Sequence, residues 1–137
     1  FRMESDLLDL LEAAVEQRMP QVRAVWHPQP ALGVVMAAQG YPGAVRKGDA
    51  IHGLDADPSG TKVFHAGTAD QDGKVVTDGG RVLCVVARGA SVGAAQATAY
   101  ARIAEIHWPG EQHRSDIGFR ALEHETQCKS RLHSSAQ

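Results

Sequence analysis

Cysteine is scarce, with Cys84 and Cys128 the only two in 137 residues. Two thiols make neither a disulfide framework nor a zinc-knuckle set, and such sparing use suits a reducing cytosol. Long apolar runs are also missing. The longest, Ala31–Ala38 and Val82–Ala87, are too short to span a bilayer. No charge of one sign dominates, because 14 Lys+Arg face 16 Asp+Glu for a formal net charge of −2. That excludes a global basic field for nucleic acid. An initiating methionine and a signal peptide with a charged end and apolar core are both lacking. The chain opens Phe1-Arg2-Met3-Glu4 and enters a helical pattern almost at once. We therefore read the start as a cut edge and the chain as a piece, cytoplasmic, with no membrane and no nucleic-acid partner.

What is present is ordinary for a globular domain: 43% hydrophobic and 22% charged residues. A chain of this length buries roughly two-thirds of its unfolded surface, enough for one core without a staple. Leu7, Leu8, Leu11, Ala14 and Val15 recur at helical steps within Glu4–Arg18, with Ser5 or Asp6 as cap and Pro20 as stop. The apolar face of this helix must dock on something. Ala31–Ala38 is apolar on both faces and reads as a central strand. Ala50–Leu54 is a short strand candidate, and Asp57-Pro58-Ser59-Gly60 is a turn. Strands follow at Lys62–Ala66, at Lys74–Thr77 after the hairpin turn Gln71-Asp72-Gly73, and at Arg81–Ala87 after Asp78-Gly79-Gly80. Cys84 lies inside the last of these and reads as a buried, inert thiol. Ser91–His107 is the strongest helix, capped by Ser91 and broken by Pro109-Gly110. Asp116–Glu123 is a last short helix, and Glu123–Gln137 is a frayed polar tail. Strands joined by tight turns are antiparallel, so the class is α+β.

Few residues carry obvious chemistry. The loop Gly40-Tyr41-Pro42-Gly43-Ala44-Val45-Arg46-Lys47-Gly48 joins flexible backbone to two cations, which suits an anion such as phosphate. It lacks P-loop spacing, and the plainer reading is a turn with exposed basic residues. Seven histidines are present, but no His-x3-His or Glu-x2-His helix pair matches a zinc site. Arg114 and Arg120 could grip a carboxylate or phosphate, or pair with nearby acids. No self-sufficient catalytic set is visible.

The order of the motifs is more telling than any one of them. Glu4-Ser5-Asp6-Leu7-Leu8-Asp9-Leu10-Leu11 precedes Pro30-Ala31-Leu32-Gly33-Val34-Val35-Met36-Ala37-Ala38 and Gly40-Tyr41-Pro42-Gly43. Arg46-Lys47-Gly48-Asp49, Lys62-Val63-Phe64-His65-Ala66-Gly67-Thr68, Gly79-Gly80-Arg81-Val82-Leu83-Cys84-Val85 and Arg114-Ser115-Asp116-Ile117-Gly118-Phe119-Arg120-Ala121-Leu122 follow. Over about residues 3–122 the chain resembles the C-terminal part of the phosphoribosylamine–glycine ligase family of ATP-grasp enzymes. The resemblance implies a fold of antiparallel, β-rich, rudiment single hybrid-like type with flanking helices. It implies three parts: residues 1–25, the terminal helix of the ATP-grasp domain; 26–122, the C-terminal β-rich domain; and 123–137, the polar tail.

The family forms glycinamide ribonucleotide from 5-phosphoribosylamine, glycine and ATP in de novo purine biosynthesis, with Mg2+ or Mn2+ at the nucleotide. Its metal ligands and ATP-clamping strands lie upstream of the matched segment. The resemblance therefore implies no catalytic and no metal residue in this chain, no cofactor for the piece alone, and no turnover by it. Its partners would be the remainder of the enzyme and the small-molecule substrates, with self-association through the first helix. Gly40, Tyr41, Pro42, Gly43, Arg46 and Lys47 match the family's loop and are the expected substrate-facing wall. The alternative from another functional class is a stand-alone phosphometabolite-binding or protein-interaction module.

Overall fold

The computed structural model describes residues 1–55 and 58–134. Helix α1 spans Leu7–Val15, and Asp6 is its cap, accepting the Leu8 N–H at 2.8 Å. Ser5 has a different task. Its Oγ accepts the Val25 N–H at 2.7 Å, within a loose antiparallel pairing of residues 2–5 with 25–27. In α1 only Ala13 is buried, while Leu7, Leu8, Leu11 and Val15 are 54–83% exposed. The apolar stripe read from the sequence is thus real and uncovered by the described residues.

Four strands form one antiparallel sheet: β1 (Ala31–Ala37), β2 (Thr61–His65), β5 (Arg81–Arg88) and β6 (Gln112–His113), in the order β2-β5-β1-β6. A hairpin of β3 (Thr68–Gln71) and β4 (Lys74–Thr77) stands beside it. Its turn places Asp72 and Gly73 at φ of 53° and 75°, the mirror-image turn that suits strand twist. β1 and β5 pair from Ala31↔Arg88 to Met36↔Leu83, with an irregularity after Met36. Helix α2 (Val92–Ile103) packs across both strands. Ser91 caps it, accepting the Ala94 N–H at 3.1 Å. Ala95, Ala99 and Ile103 meet Leu32, Val34, Met36, Val63, Leu83, Val85 and Ala87, and Ile51, Ile106 and Trp108 complete the core.

The structure bears out one expectation and corrects three. β1 is interior to its sheet, yet α2 covers one face only. On the other, Val35 and Phe64 are 41% and 43% exposed, and Cys84 and Val86 are half-buried. Residues 50–54 form no strand. Ala50 and His52 make single bridges to Val76 and His107, so the segment stitches β4 to the chain beyond α2. The short helix and frayed tail are one helix, α3 (Phe119–Ser134). α3 runs through residue 123, and the Glu125 carboxylate reaches back to accept the Val92 N–H at 2.8 Å. A carboxylate at the positive end of α2 is favourable there. Cys84 is half-buried rather than buried, and that burial still raises its thiol pKa. Asp57 of the predicted turn lies outside the described residues, but the Thr61 N–H and hydroxyl both bond to the Pro58 carbonyl. Among the described residues no helix is long and apolar enough to cross a membrane.

Candidate functional site

The uncovered face of the sheet floors a cavity of about 410 Å³. Alternation along β1 produces the floor: Leu32, Val34 and Met36 face the core, so Gly33, Val35 and Ala37 face the cavity. Tyr41 and Arg81 form one wall, and Gln112, His113, Arg114 and Ile117 form the other.

The glycine-rich loop shapes the first wall. Gly40 adopts φ of +91°, and a Cβ there would collide with the Ala44 carbonyl oxygen, so the tight turn requires glycine. The Tyr41–Pro42 peptide is cis. Gln112 of β6 pins the loop from across the cavity. Its Nε2 donates to the Ala38 and Tyr41 carbonyls at 3.2 and 3.0 Å. The Tyr41 ring rests on the Gly79-Gly80 turn, where a Cβ on Gly80 would come within 2.6 Å of the ring. The Tyr41 hydroxyl then accepts from Arg81 Nη1 at 3.1 Å.

The second wall is braced by α2. The Tyr100 hydroxyl donates to the Arg114 carbonyl at 2.6 Å and accepts the Ile117 N–H at 3.1 Å. Arg114 holds Asp116 through two parallel bonds of 2.8 and 2.6 Å. That hydrogen-bonded pairing keeps the Asp116 carboxyl below the usual carboxylate range and raises Arg114. Both side chains are exposed. Because the folded pKa of Asp116 is depressed, its stabilising effect is present above its unfolded pKa and fades as pH falls through the folded value.

The predicted site residues separate into two groups. Tyr41 lines the cavity, with Gly40, Pro42 and Gly43 carrying it. Arg46 and Lys47 point elsewhere. Arg46 pairs with the buried Asp49 carboxylate at 2.7 Å. Lys47 pairs with Asp78 at 3.2 Å in a separate hollow that Asp70 also lines. Arg81 and Gln112 had been given no role. The Gly79-Gly80 pair immediately before Arg81 was the available signal, since two glycines at a strand mouth mark a close approach. Among the described residues no three His, Cys, Asp or Glu side chains gather into a group that could hold a metal ion.

The comparisons with known proteins agree with this architecture. The family described as "Phosphoribosylglycinamide synthetase, C domain" matches residues 31–120, which run from the start of β1 to the start of α3. A phosphoribosylamine–glycine ligase of Xylella fastidiosa is 54% identical over 134 residues, covering 97% of this chain and 31% of that protein. One of Vibrio parahaemolyticus is 52% identical over 126 residues, covering 91% of this chain and 29% of that protein. In the crystal structure of the Thermotoga maritima phosphoribosylamine–glycine ligase the same fold recurs with a TM-score of 0.62 and 34% identity, over 78% of this chain and 27% of that one. The chain thus spans about 30% of the length of the curated relatives it matches. With the family match covering all six strands of the described residues and α2, this chain belongs to the phosphoribosylglycinamide synthetase (phosphoribosylamine–glycine ligase) family and corresponds to its C domain.

Proposed function

We propose that the chain is the closing domain of an ATP-dependent ligase that joins glycine to 5-phosphoribosylamine in the cytoplasmic route to purines. The observation that carries this reading is the cavity on the uncovered sheet face, walled by the Tyr41 loop and by cationic side chains. Such a ligase consumes a phosphorylated amine and an activated carboxylate, so it needs anion neutralisation and close alignment of two small reactants. A rigid sheet floor with a pinned loop supplies the alignment. ATP and its Mg2+ or Mn2+ belong to the remainder of the enzyme in this reading. Gly40, Tyr41, Pro42 and Gly43 form the substrate wall. Arg46 and Lys47 serve it by tethering the loop to Asp49 and Asp78.

In the whole enzyme, Tyr41→Ala is expected to raise the KM for phosphoribosylamine about tenfold, the equivalent of about 1.4 kcal/mol of lost binding, and to leave the KM for ATP unchanged. The isolated chain is expected to form no glycinamide ribonucleotide. An unchanged phosphoribosylamine KM, or turnover by the isolated chain, would overturn the reading.

The remainder of the enzyme is also the natural partner of α1. Residues aligned with the relatives include α1, whereas the C-domain match starts at residue 31. Its exposed leucines therefore face the preceding part of the longer protein. Freed of it, the chain buries them by self-association. Sedimentation velocity should show a concentration-dependent increase in mass that Leu8→Glu/Leu11→Glu abolishes; a strictly monomeric native chain contradicts this.

A further inference from the structure

We propose that Arg81 is the anion-binding side chain of the cavity, that Tyr41 and Gly80 are its positioning residues, and that its ligand is a phosphomonoester on a sugar-sized body. This rests on the reading of the cavity as the substrate site and specifies the group that takes the charge.

The charge inventory around the loop singles out Arg81. Arg46 is matched by Asp49, Lys47 by Asp78 and Arg114 by Asp116. Arg81 has no carboxylate partner among the described residues; its side-chain bond goes to the neutral Tyr41 hydroxyl. Unpaired arginines are common on surfaces, so the missing partner alone decides nothing. What distinguishes Arg81 is that its bond is held in place from behind. The Tyr41 ring sits directly on Gly80, and even a methyl group there would come within 2.6 Å of it. The backbone of Tyr41 is pinned by Gln112 at 3.0 Å. A guanidinium with one donor fixed and the rest of its planar fork open is suited to bidentate capture of a phosphate.

The cavity selects the rest of the ligand. Gly33, Val35, Ala37 and Ile117 present carbon, which suits the apolar face of a sugar ring and strengthens a charge pair at its edge. At about 410 Å³ the space is of small-molecule size and far exceeds what an amino acid the size of glycine would fill.

The test titrates the 137-residue chain with ribose 5-phosphate, following the Arg81 Nε–Hε and the Val35 and Ala37 amides by NMR. Saturable shifts at all three are expected. Arg81→Gln, verified as folded by its amide spectrum, should weaken binding at least about tenfold, as befits a lost charge-assisted bond. Arg81→Lys should recover only part of this. Tyr41→Phe should weaken binding several-fold with Arg81 intact, a change that a purely structural tyrosine would not produce. Lys74→Gln, on the β3–β4 hairpin and outside the cavity lining, should bind like the native chain. Native-like binding by Arg81→Gln, or no binding by the native chain, overturns the assignment. Loss of binding in Lys47→Gln but not in Arg81→Gln overturns it while leaving the loop as the substrate wall. Equal affinity for inorganic phosphate overturns the sugar-sized ligand. If ribose 5-phosphate binds through Arg81 but Arg81→Gln leaves the phosphoribosylamine KM of the whole enzyme unchanged, the substrate reading fails and the Arg81 site stands.

Discussion

Gly53→Ala is expected to destabilise the domain by about 3 kcal/mol or more, the range reserved for a strained backbone combined with a steric clash. Two independent effects add. Gly53 has φ of +82°, a region costing an L-residue roughly 1–2 kcal/mol. A Cβ at Gly53 would also overlap the Glu105 carbonyl oxygen. The two segments cannot easily separate. His52 and His107 exchange backbone bonds of 3.0 and 3.2 Å, and their rings stack with centroids 5.4 Å apart. Arg102, 3% exposed, donates from Nη2 to the Gly53 carbonyl at 2.8 Å and from Nη1 to Glu105 at 2.9 Å. Retreat of residue 53 would break the bridge and strip a buried guanidinium of an acceptor. Gly73→Ala is the control, since Gly73 has φ of +75° but nothing within 4 Å of its would-be Cβ. It should cost only the conformational part, roughly 1–2 kcal/mol. Urea unfolding of both variants measures the difference, and equal midpoints would show that the junction yields.

Trp108→Ala is expected to cost about 3–5 kcal/mol, as large aromatic truncations in cores do. Trp108 is 4% exposed and sits in the core with Ile51, Ile103 and Ile106, beyond the end of α2. Its backbone is fastened locally by the Trp108 N–H donating to Glu111 at 3.2 Å, so the site cannot collapse freely into the vacated space. The indole N–H makes a second comparison possible. Nε1 is buried and has no hydrogen-bond partner among the described residues. Trp108→Phe removes that unsatisfied donor along with part of the ring, so its cost should stay near 1–2 kcal/mol. If Phe is as damaging as Ala in thermal unfolding, the core reads exact indole shape rather than apolar volume.

Local signals in the sequence were legible where the chain itself supplies the constraint. β4 falls at Lys74–Thr77 as expected because Asp72-Gly73 forces the turn and Val75 and Val76 supply the strand. Ser91 caps α2 because its hydroxyl needs only a partner three residues away. Long-range pairing was not legible. β6 is two residues, Gln112 and His113, made a strand solely by Met36 and Ala37. The C-terminal helix was hidden by its polar composition, since what fastens it at Glu125 is an N–H 33 residues earlier. The same limit applies to the site. The Gly-Pro loop announced itself, and Tyr41 reached the cavity. The fates of Arg46 and Lys47 differ in kind: Asp49 is close in sequence to Arg46, but Asp78 reaches Lys47 only through the β3–β4 hairpin. Arg81 went unassigned because its partner stands 40 residues away. The family resemblance depended on none of these contacts, only on motif order, and the match over residues 31–120 bears it out.

β1 is a single layer of backbone with the hydrophobic core behind it and the cavity in front. Leu32, Val34 and Met36 alternate with Gly33, Val35 and Ala37 along seven residues. Neighbouring side chains on such a ribbon share peptide planes, so a shift behind is transmitted to the front without any intervening mechanism. A variant that shrinks Met36, wholly buried, is therefore expected to tilt the floor of the cavity. Thermal tolerance and the shape of the cavity floor are coupled through one strand, and a change on either face will move the other.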